Sequence, residues 1–328
     1  MPTNLPPDYF AVERRFREAE TTQEKVALLE EMMGTIPKHK GTDHLRAELR
    51  RKLAKLKSES QTKKSTARHA STFHIAHEGA GQVVLVGLTN TGKSALLKAL
   101  TNAEPEVSDA PYTTWEPAPG MMPVDDIQVQ LVDTPPLNPE FMEPELFNLL
   151  RRADLLLLVV DAQTDPLQQI SDAAALLEKQ RLAPPHTEGR YPEDSRMAYK
   201  PMLVLANKCD DEADGESFQI LRQLLADPWP LLAVSAKTGR NLDQLKQWVF
   251  RSLGIIRVYS KAPGREPDLA APYVMKAGAT IEDLARRVHR DFYEKLKQAR
   301  VWGSAEFEGQ PVGREYILHD RDVVELRM

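Results

Sequence analysis

Residues 82–94 read QVVLVGLTNTGKS, and Ala95–Leu100 continue as ALLKAL. The apolar run Val83–Val86 has the character of a buried strand, Ser94–Leu100 has helical spacing, and between them Gly87–Ser94 matches G-x-x-x-x-G-K-[ST], the phosphate-wrapping loop. The chemistry needs these residue types. Backbone N–H groups of Thr89, Asn90, Thr91, Gly92, Lys93 and Ser94, at a helix N-terminus continued by Ala95, face the phosphates. Gly87 and Gly92 allow the close approach, the Lys93 ammonium reaches the β- and γ-phosphates, and the Ser94 hydroxyl ligates Mg²⁺.

Further short apolar runs follow at Ile127–Val132, Leu155–Val160, Met202–Leu205 and Leu231–Val234, separated by helical patterns at Ser171–Gln180, Ser217–Leu225 and Leu242–Leu253. Strands alternating with helices predict an α/β domain with a mostly parallel sheet flanked by helices. Chemistry-bearing residues recur at the strand ends. Asp133 closes IQVQLVD, where it can hold a magnesium-bound water. Asn207–Asp210 (NKCD) follow MLVLA, and the Asp210 carboxylate can accept from guanine N1–H and N2–H₂, which adenine does not offer, so the expected ligand is GTP or GDP. Ser235, Ala236 and Lys237 (SAK) follow LLAV and are placed to cover the base together with Asn207 and Lys208. An ATP-using enzyme is disfavoured by Asp210.

The rest of the 328 residues bounds the setting. Length predicts two to three domains. The net charge of −5, from 43 Lys plus Arg and 48 Asp plus Glu, gives no global nucleic-acid signature. Residues 38–77 are a local exception, with eleven basic and three acidic residues, readable as a solvated helix face or as an RNA or ribosome contact. The single cysteine, Cys209, excludes an internal disulfide and fits a cytoplasmic location; no secretory leader or membrane span is expected. Prolines number 24 against 16 glycines, and nine of them (105, 111, 117, 119, 123, 135, 136, 139, 144) fall within forty residues, which predicts stiff loops there. The domain boundaries read as 1–79, a helical hairpin or leader with a helix expected from Val26 to about Gly34; 80–254, the nucleotide domain; and 255–328, a compact α+β module with a helix over Thr280–Lys297 and a terminal strand at Val323–Leu326. Arg181–Lys200 reads as a long structureless loop, and His289 and Trp302 read as packing residues.

As a set, GLTNTGKS, Asp133, NKCD and SAK resemble the guanine-nucleotide signature of the translation-factor-like P-loop GTPases. The segments RVYSKAPGREPDLAAPYVMKAGATIEDLARRVHRDF, KQARVWGSA, VGREYIL and DRDVVEL resemble the TGS domain of the developmentally regulated GTP-binding (DRG) branch of the Obg-related GTPases, and GTDHLRAELRRKLAKLKSE is similar to that family's helical leader. The resemblance implies a Ras-like domain, a C-terminal β-grasp module, Mg²⁺-dependent hydrolysis of GTP to GDP and phosphate, and ribosome or RNA partners; a small regulatory protein partner is a further expectation. It also implies a first switch within Pro111–Gly120 (PYTTWEPAPG), where Thr114, with Thr113 beside it, would close over Mg²⁺ and the γ-phosphate. The expected catalytic set is Lys93, Thr114 and Asn90, and the expected metal set is Ser94, Thr114 and Asp133.

Three departures from the family pattern bear on mechanism. The small domain that DRG proteins carry before NKxD is reduced here to the loop at 183–200. Asn90 stands where the family usually has Ser; in related GTPases such an Asn ligates K⁺, which implies K⁺-stimulated hydrolysis, while an Asn that merely tolerates a tight turn is the competing reading. Switch II, over residues 133–144, reads Asp133-Thr134-Pro135-Pro136, and Pro136 lacks the N–H that glycine would donate to the γ-phosphate. Leu137 follows, where Ras-like proteins use a water-orienting Gln, so slow intrinsic hydrolysis is expected. A hydrolysis-poor GTP-binding scaffold and a GTPase of tRNA modification are the alternatives.

Overall fold

The all-apolar run after Gln82 becomes strand β1 (Gln82–Val86), buried along its whole length in the computed structural model. The structure describes residues 12, 14–16, 22–35, 49, 51–52, 73–102, 116–139, 143–191 and 196–327. The chain divides into two units, 1–74 and 75–328. In the first, helix α1 (Thr22–Thr35) starts four residues before the expected Val26, and Leu28, Leu29 and Met32 share a core with Val12 and Leu49. The basic stretch 38–77 lies mostly outside the described residues.

The second unit contains two sheets. Around β1 lie β2 (Ala118–Val124), β3 (Ile127–Asp133), β4 (Leu155–Asp161), β7 (Met202–Asn207) and β8 (Leu231–Ala233), in the order β2-β3-β1-β4-β7-β8. All pairs are parallel except the β2–β3 hairpin. Helices α2 (Lys93–Leu100), α3 (Pro144–Arg152), α4 (Pro166–Lys179) and α5 (Glu212–Leu224) lie in the connections between its strands, and α6 (Leu242–Ser252) follows β8, its last strand. Leu96, Leu97 and Leu100 of α2 and Leu245 and Val249 of α6 pack with Val83, Leu85, Leu131, Leu157 and Leu205 in one apolar cluster. Parallel strands buried on both faces explain why the sequence shows continuous apolar runs rather than alternation.

Two elements escape the periodicity. Strand β2 reads APGMMPV, and its prolines at 119 and 123 hide a strand pattern; β2 is the edge of the sheet, where a missing N–H costs no ladder bond. Pro144 opens α3 at its first turn, the position that tolerates proline. The proline cluster therefore serves an edge strand and a helix start at three of its nine positions, which corrects its reading as loop stiffening throughout. Arg181–Lys200 is also not structureless: β5 (Leu182–Ala183) pairs in parallel with β6 (Ala198–Tyr199), and a 3₁₀ turn spans Pro185–Thr187, because buried backbone groups such as those of Leu182 and Ala183 need partners.

The C-terminal sheet runs β10-β9-β13-β11-β12, from β9 (Ile255–Ser260), β10 (Asp268–Lys276), β11 (Gln298–Trp302), β12 (Gln310–Val312) and β13 (Asp322–Arg327). Helix α7 (Ile281–Val288) packs Ile281, Leu284 and Ala285 against Val258, Ala299, Val301 and Val324. The single helix expected over Thr280–Lys297 is two, because His289 is extended (φ −170°) and accepts from Asp291 N–H to start α8 (Arg290–Lys295). His289 is exposed and works as a cap, not as a packing residue. Trp302 does pack, with Lys261 Nζ 4.4 Å from its ring centroid. Thr280 and Asp283 form a reciprocal capping box at α7, with Thr280 N–H to Asp283 Oδ2 at 3.0 Å and Asp283 N–H to Thr280 Oγ1 at 3.3 Å. Thr280→Ala should lower unfolding stability by about 1 kcal/mol in a denaturant titration; no change would mean the box contributes nothing.

Candidate nucleotide site

The phosphate side of the site is built by the turn from β1 into α2. A side-chain carbon at Gly87 would lie 2.3 Å from the Val159 carbonyl oxygen, and one at Gly92 (φ 88°) 2.3 Å from Asn207 Nδ2, so both positions require glycine. Asn90 adopts left-handed backbone (φ 59°) and is exposed at the loop tip, with Thr89 beside it. Thr91 turns inward and is buried, and Ala95 is exposed on the first turn of α2.

Lys93 is 7% exposed and donates to the carbonyls of Gly87 (3.2 Å) and Leu88 (2.8 Å) across the loop. Burial lowers its pKa to about 8, against the opposing pull of the Asp133 carboxylate. Ser94 Oγ donates to Asp133 Oδ2 at 2.5 Å, and Asp133 Oδ1 is buried with no hydrogen-bond partner in the protein. Burial raises the Asp133 pKa, while Ser94 and Lys93 pull it back down. A buried carboxylate oxygen left unpaired beside a serine hydroxyl is a donor set that suits a hydrated divalent cation.

Beyond Asp133 the segment expected to form a second switch is tied back. Thr134 Oγ1 donates to the Leu85 carbonyl (2.7 Å), and the Leu137 N–H donates to the Gly87 carbonyl (3.0 Å) with the Leu137 side chain buried. Pro135 and Pro136 lie between these two anchors. Thr113 and Thr114 lie outside the described residues, so the first switch has no geometry to compare.

The base side comes from the ends of β7 and β8. Asn207 Nδ2 donates to the Thr91 carbonyl (2.9 Å) and Asn207 Oδ1 accepts from Ala236 N–H (3.2 Å), which joins both halves of the site through one buried amide. Asp210 Oδ1 accepts from Ser235 Oγ (2.6 Å), and Lys237 Nζ stands 3.7 Å from Asp210 Oδ2. Lys208 (φ 66°) pairs with Asp161 Oδ2 at 2.5 Å.

Asp161 is a site residue that motif reading missed, together with Gln163, whose Nε2 donates to the Lys208 carbonyl at 3.1 Å. A signal existed. LLLLVVD ends in an aspartate as IQVQLVD does, and in a parallel sheet both carboxylates reach the same strand-end crevice. Among the described residues no group of three or more His, Cys, Asp or Glu is placed to hold a metal, and no helix is long and apolar enough to cross a membrane.

Comparison with known proteins agrees with this geometry. Residues 82–188 match the model of the 50S ribosome-binding GTPase family, and residues 256–328 match the TGS domain. An uncharacterized GTP-binding protein of Methanocaldococcus jannaschii is 29% identical, over 92% of this chain and 92% of its own length. Developmentally-regulated G-protein 2 of Arabidopsis thaliana is 25% identical over 92% of this chain and 90% of its own, and ribosome-interacting GTPase 1 of Saccharomyces cerevisiae is 25% identical over 93% and 98%.

Proposed function

Because the chain is a DRG-like GTPase of the Obg family, with a GTPase domain followed by a TGS domain, we propose that it works as a ribosome- or RNA-associated switch whose signal is GTP hydrolysis at the site just described. The observation that carries the reading is Asn207, which ties the phosphate loop at Thr91 to the SAK loop at Ala236, so that Lys93 and Asp210 serve one ligand. In this reading Lys93 neutralises charge developing on the γ-phosphate, and Asp210 reads guanine. Ser94, Thr114 and, through water, Asp133 would hold Mg²⁺, which supplies charge neutralisation between the β- and γ-phosphates. The TGS domain and the name of the yeast relative support a ribosomal partner.

Hydrolysis without a partner is expected to be slow. Pro136 has no N–H to give, the Leu137 N–H is engaged by Gly87, and position 137 carries Leu where Ras-like proteins use a water-orienting Gln. The same observation favours a second reading, a GTP-binding scaffold that barely turns over. GTP turnover measured with and without ribosomes separates them: a rise on ribosome addition supports the switch, and no turnover above a Lys93→Ala control supports the scaffold. The left-handed backbone of Asn90 accounts for an asparagine by conformation alone, so its K⁺ role stands on the family resemblance. Single-turnover rates should be higher in KCl than in NaCl; equal rates remove the role.

A further inference from the structure

The guanine-reading carboxylate sits on a short, partly buried loop, and two observations outside the NKCD and SAK motifs concern how that loop keeps its shape. The guanidinium of Arg240, in the turn between β8 and α6, donates through Nη1 to the carbonyl of Asp211 at 2.7 Å and to that of Cys209 at 3.4 Å. These are the carbonyls one residue either side of Asp210. A single planar cation therefore spans the backbone that aims the Asp210 side chain. Gly215, one turn into α5, leaves room for this arrangement: a side-chain carbon there would come within 3.2 Å of Arg240 Nη2.

The backbone of Arg240 is itself anchored on the other half of the base site. Its carbonyl accepts from Ser235 N–H (3.2 Å), its N–H donates to Thr238 Oγ1 (3.4 Å), and Thr238 N–H donates to Ser235 Oγ (3.0 Å). Asn241 (φ 59°) then donates from Nδ2 to the Ala233 carbonyl at 2.8 Å, closing the turn against β8. Ser235 is the residue whose hydroxyl donates to Asp210. Arg240 thus joins the two base-side loops by a route independent of the Ser235–Asp210 hydrogen bond.

We propose that Arg240 is a specificity-positioning residue, which holds the Asp210 carboxylate in the orientation that accepts both guanine N1–H and N2–H₂. The physical reason is geometric. Bidentate acceptance requires both carboxylate oxygens in the plane of the base, and a loop free to rotate about the Asp210 backbone would satisfy one donor at a time. A guanidinium on the flanking carbonyls removes that freedom before the ligand arrives. Arg240 is exposed, so its replacement leaves the apolar core intact.

The inference rests on Asp210 as the reader of guanine, and the experiment keeps the two apart. Equilibrium binding of GDP, IDP and ADP would be measured on the full chain, wild type against Arg240→Ala and Arg240→Lys. IDP lacks the 2-amino group and reports the second hydrogen bond. The wild type should bind GDP more tightly than IDP, and IDP more tightly than ADP. Arg240→Ala should weaken GDP by about fivefold to tenfold, the worth of roughly one ordinary hydrogen bond since the effect on the ligand is indirect, and weaken IDP less, so that the GDP-to-IDP ratio falls. Arg240→Lys, which keeps a cationic donor, should recover part of that ratio. An unchanged ratio in Arg240→Ala, whether both affinities hold or both fall together, overturns the positioning role. A wild type that binds GDP and IDP equally overturns the reading of Asp210 and the role of Arg240 with it. Thermal unfolding of both variants should match the wild type.

Discussion

Asp210→Asn should invert the base preference of the site. The variant is expected to lose roughly 10²–10⁴-fold in GDP affinity and to prefer XDP, the xanthine nucleotide. Guanine offers N1–H and N2–H₂ to the carboxylate, two charge-assisted hydrogen bonds of roughly 1.5–3 kcal/mol each. The structure says which way the new amide would turn. Ser235 Oγ donates to Asp210 Oδ1 at 2.6 Å, so an asparagine keeps its oxygen on Ser235 and presents its NH₂ to the base. That sets donor against donor for guanine and donor against the 2-carbonyl for xanthine. Displacement of a fluorescent GDP by GTP, XTP and ATP measures it. GDP affinity within tenfold of wild type would remove Asp210 from base recognition.

The second large effect concerns the join between the two matched domains. Arg257, on β9, is 3% exposed and contacts three carboxylates: Asp320 through Nη2 at 2.7 Å and Nε at 3.1 Å, Asp126 at 2.8 Å and Asp125 at 2.9 Å. Asp125 and Asp126 form the turn of the β2–β3 hairpin, so the TGS sheet grips the strand that ends at Asp133. Tyr259 donates to Asp126, and the guanidinium lies 4.7 Å from the Phe250 ring centroid. Arg257→Ala leaves these carboxylates with only Arg321, 3.6 Å from Asp125, and because they are 27–39% exposed the cost should be about 2–3 kcal/mol, below that of breaking a fully buried pair. The melting temperature should fall by roughly 4–12 °C. Arg257→Lys should rescue little, since an ammonium cannot span the fork.

The acid limb distinguishes lost charge pairing from lost packing. Burial pushes Asp126 and Asp320 up, but for Asp126 the Tyr259 hydroxyl and Arg257, and for Asp320 the Arg257 side chain and backbone, outweigh it and hold both below the usual carboxylate range. Depressed native values mean that this stabilisation is present above the unfolded carboxylate pKa, near about 4, and is lost as pH falls through the native values. Wild-type stability should therefore drop below about pH 4, and Arg257→Ala should show a shallower drop. Parallel acid limbs would mean that Arg257 acts through packing alone.

What could be read without coordinates follows from chain contiguity. The phosphate cradle uses consecutive backbone groups of residues 87–94, so a local pattern suffices to find it, although the contacts that demand glycine at 87 and 92 come from Val159 and Asn207, far along the chain. NKCD and SAK were legible for the same reason, each a short segment at a strand end. Strand β2 was not, because Pro119 and Pro123 are acceptable only once the strand is known to be an edge. Nor was the break at His289, where helical spacing runs on through a residue whose backbone is extended.

By itself, then, the sequence pointed to a guanine nucleotide bound on a mostly parallel α/β sheet and to a compact α+β module after it, since those readings rest on patterns within single segments; the β-grasp form of that module was implied by the family resemblance. Tertiary structure alone decided that Asp161 faces Lys208, that Arg240 brackets Asp210, and that Arg257 joins the hairpin at Asp125 and Asp126 to Asp320. Arg257 and Asp125 are 132 positions apart. A charged residue reads the same in sequence whether it faces water or a distant partner, and only the packing of the two sheets, which removes the water, makes the difference.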